Sequence, residues 1–370
     1  MKAGKIDYFF FWTSIALLGI GLLSFVSASL GIFAKNIPQF YSVLFNQLAF
    51  GLGGGIAAFF LFLKVPYQTW RTWAPFIFIG ALLITCLVFV PSLSLSHGGA
   101  RRWISIGNFQ FQPVEFLKIG FIFYFAAWLS WVKQRSRELA FGAIPLCISL
   151  GVVAFVLFKQ PDTKSFILIA TASLAMLFVS GISWKYILGM LAIALVLFGG
   201  LVAFRPYVRE RVQTFLNPSH DPSGSSFQLR QSLIAIGSGG IAGRGLGQSV
   251  QKFTYLPEPQ GDSIFAVIGE EFGFIGTTLI VVLYLMFALR GIRIAYRAPD
   301  SFSRLLVTGI IILITAQVFM NIASITGLFP LTGVPLVFMS HGGTSLMVSL
   351  GMVGLLLNIS RFSRGFERKK

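Results

Sequence analysis

Three carboxylates follow the point where a polar stretch runs into an apolar one: Asp262, then Glu270 and Glu271, within YLPEPQGDSIFAVIGEEFGFIG (255–276). An ionised carboxylate at such a border can take a proton from a hydroxyl, provided burial and neighbouring charges tune it. Asp262 stands at or near the start of the helix that follows, where aspartate is also a favoured cap. Glu270 and Glu271 fall about 12 Å further along that helix. At bilayer depth each charge costs roughly 2.5–3.5 kcal/mol, so both should face protein or water. Glu270 lies about 80° around the helix from Asp262 and Glu271 lies opposite, so one face cannot hold all three.

Other polar groups cluster in four segments. GARRWISIG (99–107) sets Arg101 and Arg102 beside Trp103, a combination suited to lipid headgroups. FQPVEFLK (111–118) opens a helix with Pro113 early and Glu115 in the first turn; Lys118, three residues on, can pair with Glu115 on one face. QPD (160–162), flanked by Lys159 and Lys164, reads by itself as a solvated turn. The segment 327–345 is apolar but broken by Pro330, Pro335 and several glycines, and irregular backbone at membrane depth must line protein or a cavity. Gln317 and Asn321, four residues apart, could hydrogen-bond that segment or serve interhelical packing. The glycine-dense run 237–249 is either a flexible loop or an anion-binding nest, and it lacks the spacing of a nucleotide loop. No cluster of His or Cys suggests a metal.

The elements that must carry these residues are membrane spans. Apolar residues make up 55% and charged residues 11% of 370, too few charges to cover a soluble surface, and mean hydropathy is +0.81. Apolar runs near 8–30, 43–63, 74–90, 114–132, 140–158, 165–182, 186–204, 263–289, 305–326 and 340–360 predict ten transmembrane helices. The first run is too long for a signal-peptide core, so it is expected to be retained. With an inner N-terminus, seventeen Lys and Arg fall on inner segments and six on short outer loops, which orients both termini toward the cytoplasm. The net charge of +17 is spread in short clusters between apolar runs, which argues against nucleic-acid binding. Cys86 and Cys147 lie inside apolar runs and read as buried free thiols. The expected architecture is one all-α polytopic integral membrane domain over 1–370. Its cytoplasmic tails are 1–7 and 361–370, and a long extracytoplasmic loop, 205–262, joins helices 7 and 8. All the polar clusters then share the outer face. Carboxylates, cations, tryptophan and glycine-rich backbone at a lipid interface suit an amphiphilic, anionic, lipid-carried substrate.

GARRWI…FQPVE, QPD, the stretch from NP (217–218) to QK (251–252), YLPEP…D…GEE and GLFPLTGVP…S-GG-S occur in the order seen in the SEDS family (shape, elongation, division and sporulation). The resemblance covers essentially the whole chain, and QPD with QKFTYLPEP is more similar to the division and sporulation branch than to the elongation branch. It implies a peptidoglycan glycosyltransferase that polymerises lipid II at the outer leaflet of the bacterial cytoplasmic membrane, at the division septum. Asp262 falls on the family's essential aspartate and is expected to be catalytic; Arg102, Trp103, Lys118, Asp162 and Glu258 fall on other motif positions and are expected to bind substrate. A class B penicillin-binding protein and other division proteins are the implied partners. No cofactor is required by the resemblance, with a divalent cation (Mg or Mn) left open. A lipid II flippase and a non-catalytic division scaffold are the alternatives. Three motifs depart from the family pattern: Gln260-Gly261-Asp262-Ser263 stands for His-Thr-Asp-Phe, Thr163-Lys164 for Leu-Gly after QPD, and His341 for Tyr.

Overall fold

The computed structural model describes residues 4–97, 100–106, 109–135, 140–182, 206–217 and 225–363, with a few single positions between 188 and 203. Among them, eight helices are long and apolar enough to cross a membrane. These are α1 (Tyr8–Phe33), α2 (Ile37–Lys64), α3 (Tyr67–Phe89), α4 (Val114–Arg135), α6 (Thr163–Ser180), α10 (Ile264–Tyr296), α11 (Ser301–Ile325) and α12 (Gly343–Ser360). A further apolar helix, α5 (Ala140–Lys159), matches the fifth expected span. The seventh, 186–204, lies almost wholly outside the described residues. Among the described residues, three shorter helices lie on the chain between α6 and α10: α7 (Pro206–Leu216), α8 (Ser225–Ser238) and α9 (Gln251–Thr254).

The helix limits differ from the apolar runs for identifiable reasons. α3 begins at Tyr67 rather than 74 and carries Pro75 inside it. α10 runs on to Tyr296, because Arg290 does not end it but turns to pair with Asp7, Nε to Oδ2 at 2.7 Å. Within α2, residues 46–53 widen into a π-helix. That local turn carries Gln47, wholly buried, to the backbone of the 340–342 turn: its amide donates to Ser340 O and its carbonyl accepts from Gly342 N–H. A small antiparallel sheet, absent from the expected plan, fills the connection from α3 to α4. It comprises β1 (Ser94–His97), β2 (Ala100–Ile106) and β3 (Phe109–Phe111), with Ile104 opposite Ser94 on one side and Phe111 on the other.

The core centres on α11, which packs against α4, α6 and α10, while α12 packs on α2 and α1 on α10. Leu306, Val307 and Ile310 of α11 are wholly buried, as are Ala172 and Met176 of α6. Large apolar side chains such as Leu83, Phe76, Phe274 and Leu285 remain exposed on the outside of the bundle, as a lipid-facing surface requires. Cys86 and Cys147 are free, and Cys147 lies on that outer surface rather than in the core.

Candidate functional site

Asp262 belongs to a tight turn ahead of α10. Gly261 N–H donates to Glu258 O at 2.9 Å, and Glu258 holds a left-handed conformation with φ 46°. Ser263 is the cap residue of α10, and no side chain caps the helix. The capping role open to Asp262 from its position is therefore not the one it fills. Its main-chain carbonyl accepts from Asn321 Nδ2 at 2.7 Å, and the same amide reaches Val334 O at 2.7 Å. Asn321 thus ties the turn to the irregular 327–342 segment.

The carboxylate has one neutral donor and two cationic neighbours. Oδ1 accepts from Gln228 Nε2 of α8 at 3.1 Å, and that amide also reaches Ser263 Oγ. Oδ2 faces Gly333. A methyl group placed on Gly333 would stand 3.3 Å from Oδ2, 3.8 Å from Nζ of Lys164 and 3.9 Å from Nη2 of Arg211. The backbone there has φ +62°, a conformation glycine adopts without strain. Lys164 Nζ donates to Gly333 O, and Arg211 Nη1 donates to Leu331 O. Among the described residues no ion pair within 4.0 Å joins Asp262 to either cation. Burial pushes the Asp262 carboxyl above the usual carboxylate range, while Lys164, Gln228 and Arg211 pull it back. A carboxylate whose hold on a proton is strengthened in this way is suited to proton abstraction.

Next to this carboxylate opens a cleft of about 90 Å³, walled by Arg102, Lys164 and Arg211 and floored by Phe329, Pro330 and Leu331. Arg102, on β2, grips the QPD turn through the carbonyls of Gln160 and Pro161. Asp162 is wholly buried and caps α6, accepting from Ser165 N–H and from Ser165 Oγ at 2.8 Å. It fixes the first turn from which Lys164 projects. Trp103 is half-buried on β2, one residue from Arg102. Two arginines and a lysine over an apolar floor can take an anionic group carried on a lipid.

Lys118 stands one step back. It pairs with Glu115 at 2.9 Å and donates to Gln317 Oε1 at 3.0 Å, all three being buried. Gln317 in turn donates to Pro335 O at 3.1 Å. Lys118 therefore reaches the cleft through the 327–342 segment and does not line it. Glu258 likewise shapes the turn, with its Oε2 accepting from Gln260 Nε2 at 3.3 Å.

The two glutamates of α10 diverge, as their helical spacing requires. Glu270 accepts from Ser249 Oγ at 2.6 Å and from the amides of Val250 and Gln251, with Arg244 at 3.5 Å. Glu271 pairs with Lys252 Nζ at 2.6 Å and accepts from Ser27 Oγ, and this lysine and carboxylate are almost completely buried. Between them and the lipid-facing half of α10, the helix breaks at Gly273, φ 64° and ψ −161°. The glycine-rich run docks into that break: Arg244 and Gly245 N–H donate to Glu270 O and Glu271 O, and Phe274 and Ile275 N–H donate to Gly240 O and Ile241 O. Its amides are thus spent on a helix rather than arranged as an anion nest.

Of the residues expected from sequence, Arg102 lines the cleft and Asp262 stands next to it beside Lys164 and Arg211. Asp162 supports it through the first turn of α6, and Glu258 and Lys118 hold the backbone around it. Lys164, Arg211, Gln228 and Gly333 were not foreseen as site residues. Lys164 was visible only as a cation flanking QPD and a departure after it, and Arg211 only as one cation of a long loop. The donor set beside Asp262, two cations and a carboxamide, does not fit a resident Mg or Mn, which calls for several oxygen ligands. Among the described residues no group of three His, Cys, Asp or Glu could hold a metal.

Comparison with known proteins agrees over nearly the full length. The family model described as cell cycle protein, FtsW/RodA/SpoVE, matches residues 8–365. Stage V sporulation protein E of Bacillus subtilis is 42% identical over 354 residues, covering 95% of this chain and 96% of that protein. A probable peptidoglycan glycosyltransferase FtsW of Trichlorobacter lovleyi is 40% identical over 347 residues, covering 94% and 91%. Among solved structures, a chain from a study of how a peptidoglycan synthase complex coordinates polymerization and crosslinking superposes with TM-score 0.78 at 26% identity, over 97% of this chain and 98% of that one. The rod shape determining protein RodA of Thermus thermophilus superposes with TM-score 0.70 at 25% identity, over 97% and 98%.

Proposed function

Because the chain belongs to the FtsW/RodA/SpoVE family, we propose that it is a peptidoglycan glycosyltransferase that polymerises lipid II during cell division. The 4-hydroxyl of the acceptor's GlcNAc attacks the anomeric carbon of the donor's MurNAc, inverting it. Asp262 takes the hydroxyl proton, and undecaprenyl pyrophosphate leaves with the bonding pair of the broken C–O bond. Arg102 and Arg211, facing the cleft, neutralise the diphosphate. Trp103 sits at the lipid interface, Asp162 fixes the α6 turn, and Lys118 with Glu258 hold the backbone around the base. The observation that carries this reading is a helix-entrance aspartate that does not cap, held instead beside an open cationic cleft.

This chemistry belongs on the outer leaflet, in a ten-span domain with 1–7 and 361–370 in the cytoplasm and 205–262 outside. In a variant lacking Cys86 and Cys147, a cysteine at 223 should react with an impermeant maleimide in intact cells and one at 301 should not. The opposite pattern would reject both the orientation and the site. A class B penicillin-binding protein is the partner this reading calls for, since no extramembrane domain appears among the described residues to cross-link the product.

Purified protein supplied with labelled lipid II, with and without the partner, separates the possible activities. Glycan ladders on a gel establish the polymerase. Accelerated leaflet exchange in vesicles without polymer would mean a flippase, and neither activity would mean a scaffold.

A further inference from the structure

Lys164 does more than wall the cleft. It projects from the second residue of α6, a turn fixed by the buried Asp162 cap. Its ammonium donates to Gly333 O and so stitches α6 to the irregular segment lying under the Asp262 carboxylate. The same ammonium is on the Asp262 side of Gly333, near Oδ2 yet not closed on it as an ion pair. A lysine that closed on the carboxylate would consume the base, and one facing away would leave it unsupported. This one stands between those arrangements.

We infer that Lys164 is a positioning residue for the reaction proposed above, tethering Gly333 and orienting the Asp262 carboxylate toward the cleft. The inference rests on the reading of Asp262 as the base. The groups around that carboxylate are few. Lys164 faces it from α6, Arg211 from α7 and the neutral Gln228 from α8, while Asn321 of α11 holds the main-chain carbonyl of Asp262 and Glu258 lies on its own turn. Arg102, on β2, lines the same cleft as Lys164 and acts electrostatically on the lysine. Of the two cations, only Lys164 also holds Gly333. Removing its charge leaves Arg211 and the Gln228 donor to favour the ionised carboxylate, so burial then raises the carboxyl further.

The test uses the full-length protein in detergent with labelled lipid II, following kcat and KM across pH. The wild type should show an acid limb above the ordinary carboxylate range of about 4. Lys164→Met should shift that limb upward by about one pH unit. At pH values below the limb its kcat should fall about tenfold and recover as pH rises, with KM little changed. Lys164→Arg should keep most of the wild-type profile. Lys164→Gln, which retains a donor for Gly333 O without the charge, should shift the limb while holding the fold, and it serves if Lys164→Met does not accumulate. A limb that stays put, with activity lost in equal proportion at every pH, would overturn the inference. So would a rise in KM alone, which would make Lys164 a substrate contact. Asp262→Asn in the same assay keeps the two claims apart: full activity there would reject the base itself, whatever Lys164 does.

Discussion

Asp262 and Asp300 occupy the same kind of place, each just ahead of a long membrane helix, at opposite ends of the bundle. Asp300 is wholly committed to structure. Its Oδ1 accepts from Ser303 N–H at 2.9 Å, Ser303 answers with its hydroxyl to complete a capping box, and Oδ2 accepts from Tyr67 OH at 2.6 Å. Asp7, at the start of α1, is used in the same way, capping its helix and binding Arg290. Asp262 caps nothing, keeps one oxygen toward Gly333 and has cations near but not closed upon it. Residue type and position in the chain do not separate these aspartates. What separates them is how fully their oxygens are answered, and an under-committed carboxylate beside a cleft is the one free to do chemistry.

The buried pair below Asp262 gives the largest contrast. Lys252→Met leaves Glu271 charged and unpaired inside the protein, which typically costs about 3–5 kcal/mol. Membrane accumulation and melting temperature should fall sharply, and the doubly substituted Lys252→Met, Glu271→Met protein should regain much of the loss. If Lys252→Met were stable but catalytically dead, the division between structural and chemical acids drawn here would collapse.

Gly333→Ala acts on the other side of the comparison. A methyl group there meets Asp262 Oδ2 at 3.3 Å and requires a left-handed alanine, a strain of roughly 1–2 kcal/mol. Polymerisation per folded molecule should drop about tenfold, the equivalent of about 1.4 kcal/mol on the barrier. An unaffected rate would show that the carboxylate does not need the space above Gly333.

Asp300→Ala should give the smallest effect, and on stability alone. Loss of the cap costs about 1 kcal/mol, seen as a lower melting temperature with an unchanged rate per folded molecule. A rate loss larger than the loss of folded protein would mean that the Asp300 end of α11 also bears on catalysis.

Much of this was legible in the sequence. Uninterrupted apolar runs mark the spans, since a bilayer needs long apolar helices and little else. The Glu115–Lys118 pair follows from its spacing of three, and the divergence of Glu270 from Glu271 follows from 100° per residue. The convergence of Lys164, Arg211 and Gly333 on Asp262 was not legible, because it joins four segments far apart in the chain, and no local periodicity encodes such a meeting. The π-helix at 46–53 was hidden for a related reason: its cause, the bonds from Gln47 to residues 340 and 342, lies about three hundred residues away. The glycine-rich run misled in the other direction. Its composition permits an anion nest, and only the break at Gly273 shows where its amides go.

The comparison between the two aspartates turns on one substitution, Asp262→Asn. Asparagine keeps the shape and can still accept from Gln228, but it cannot take a proton from a sugar hydroxyl. The measurement is glycan polymerisation from labelled lipid II by the purified variant, alongside its melting temperature and membrane level. The account expects wild-type folding with polymer formation reduced at least about a hundredfold, as loss of a general base typically brings. A folded Asp262→Asn protein that still makes long glycan strands would contradict it.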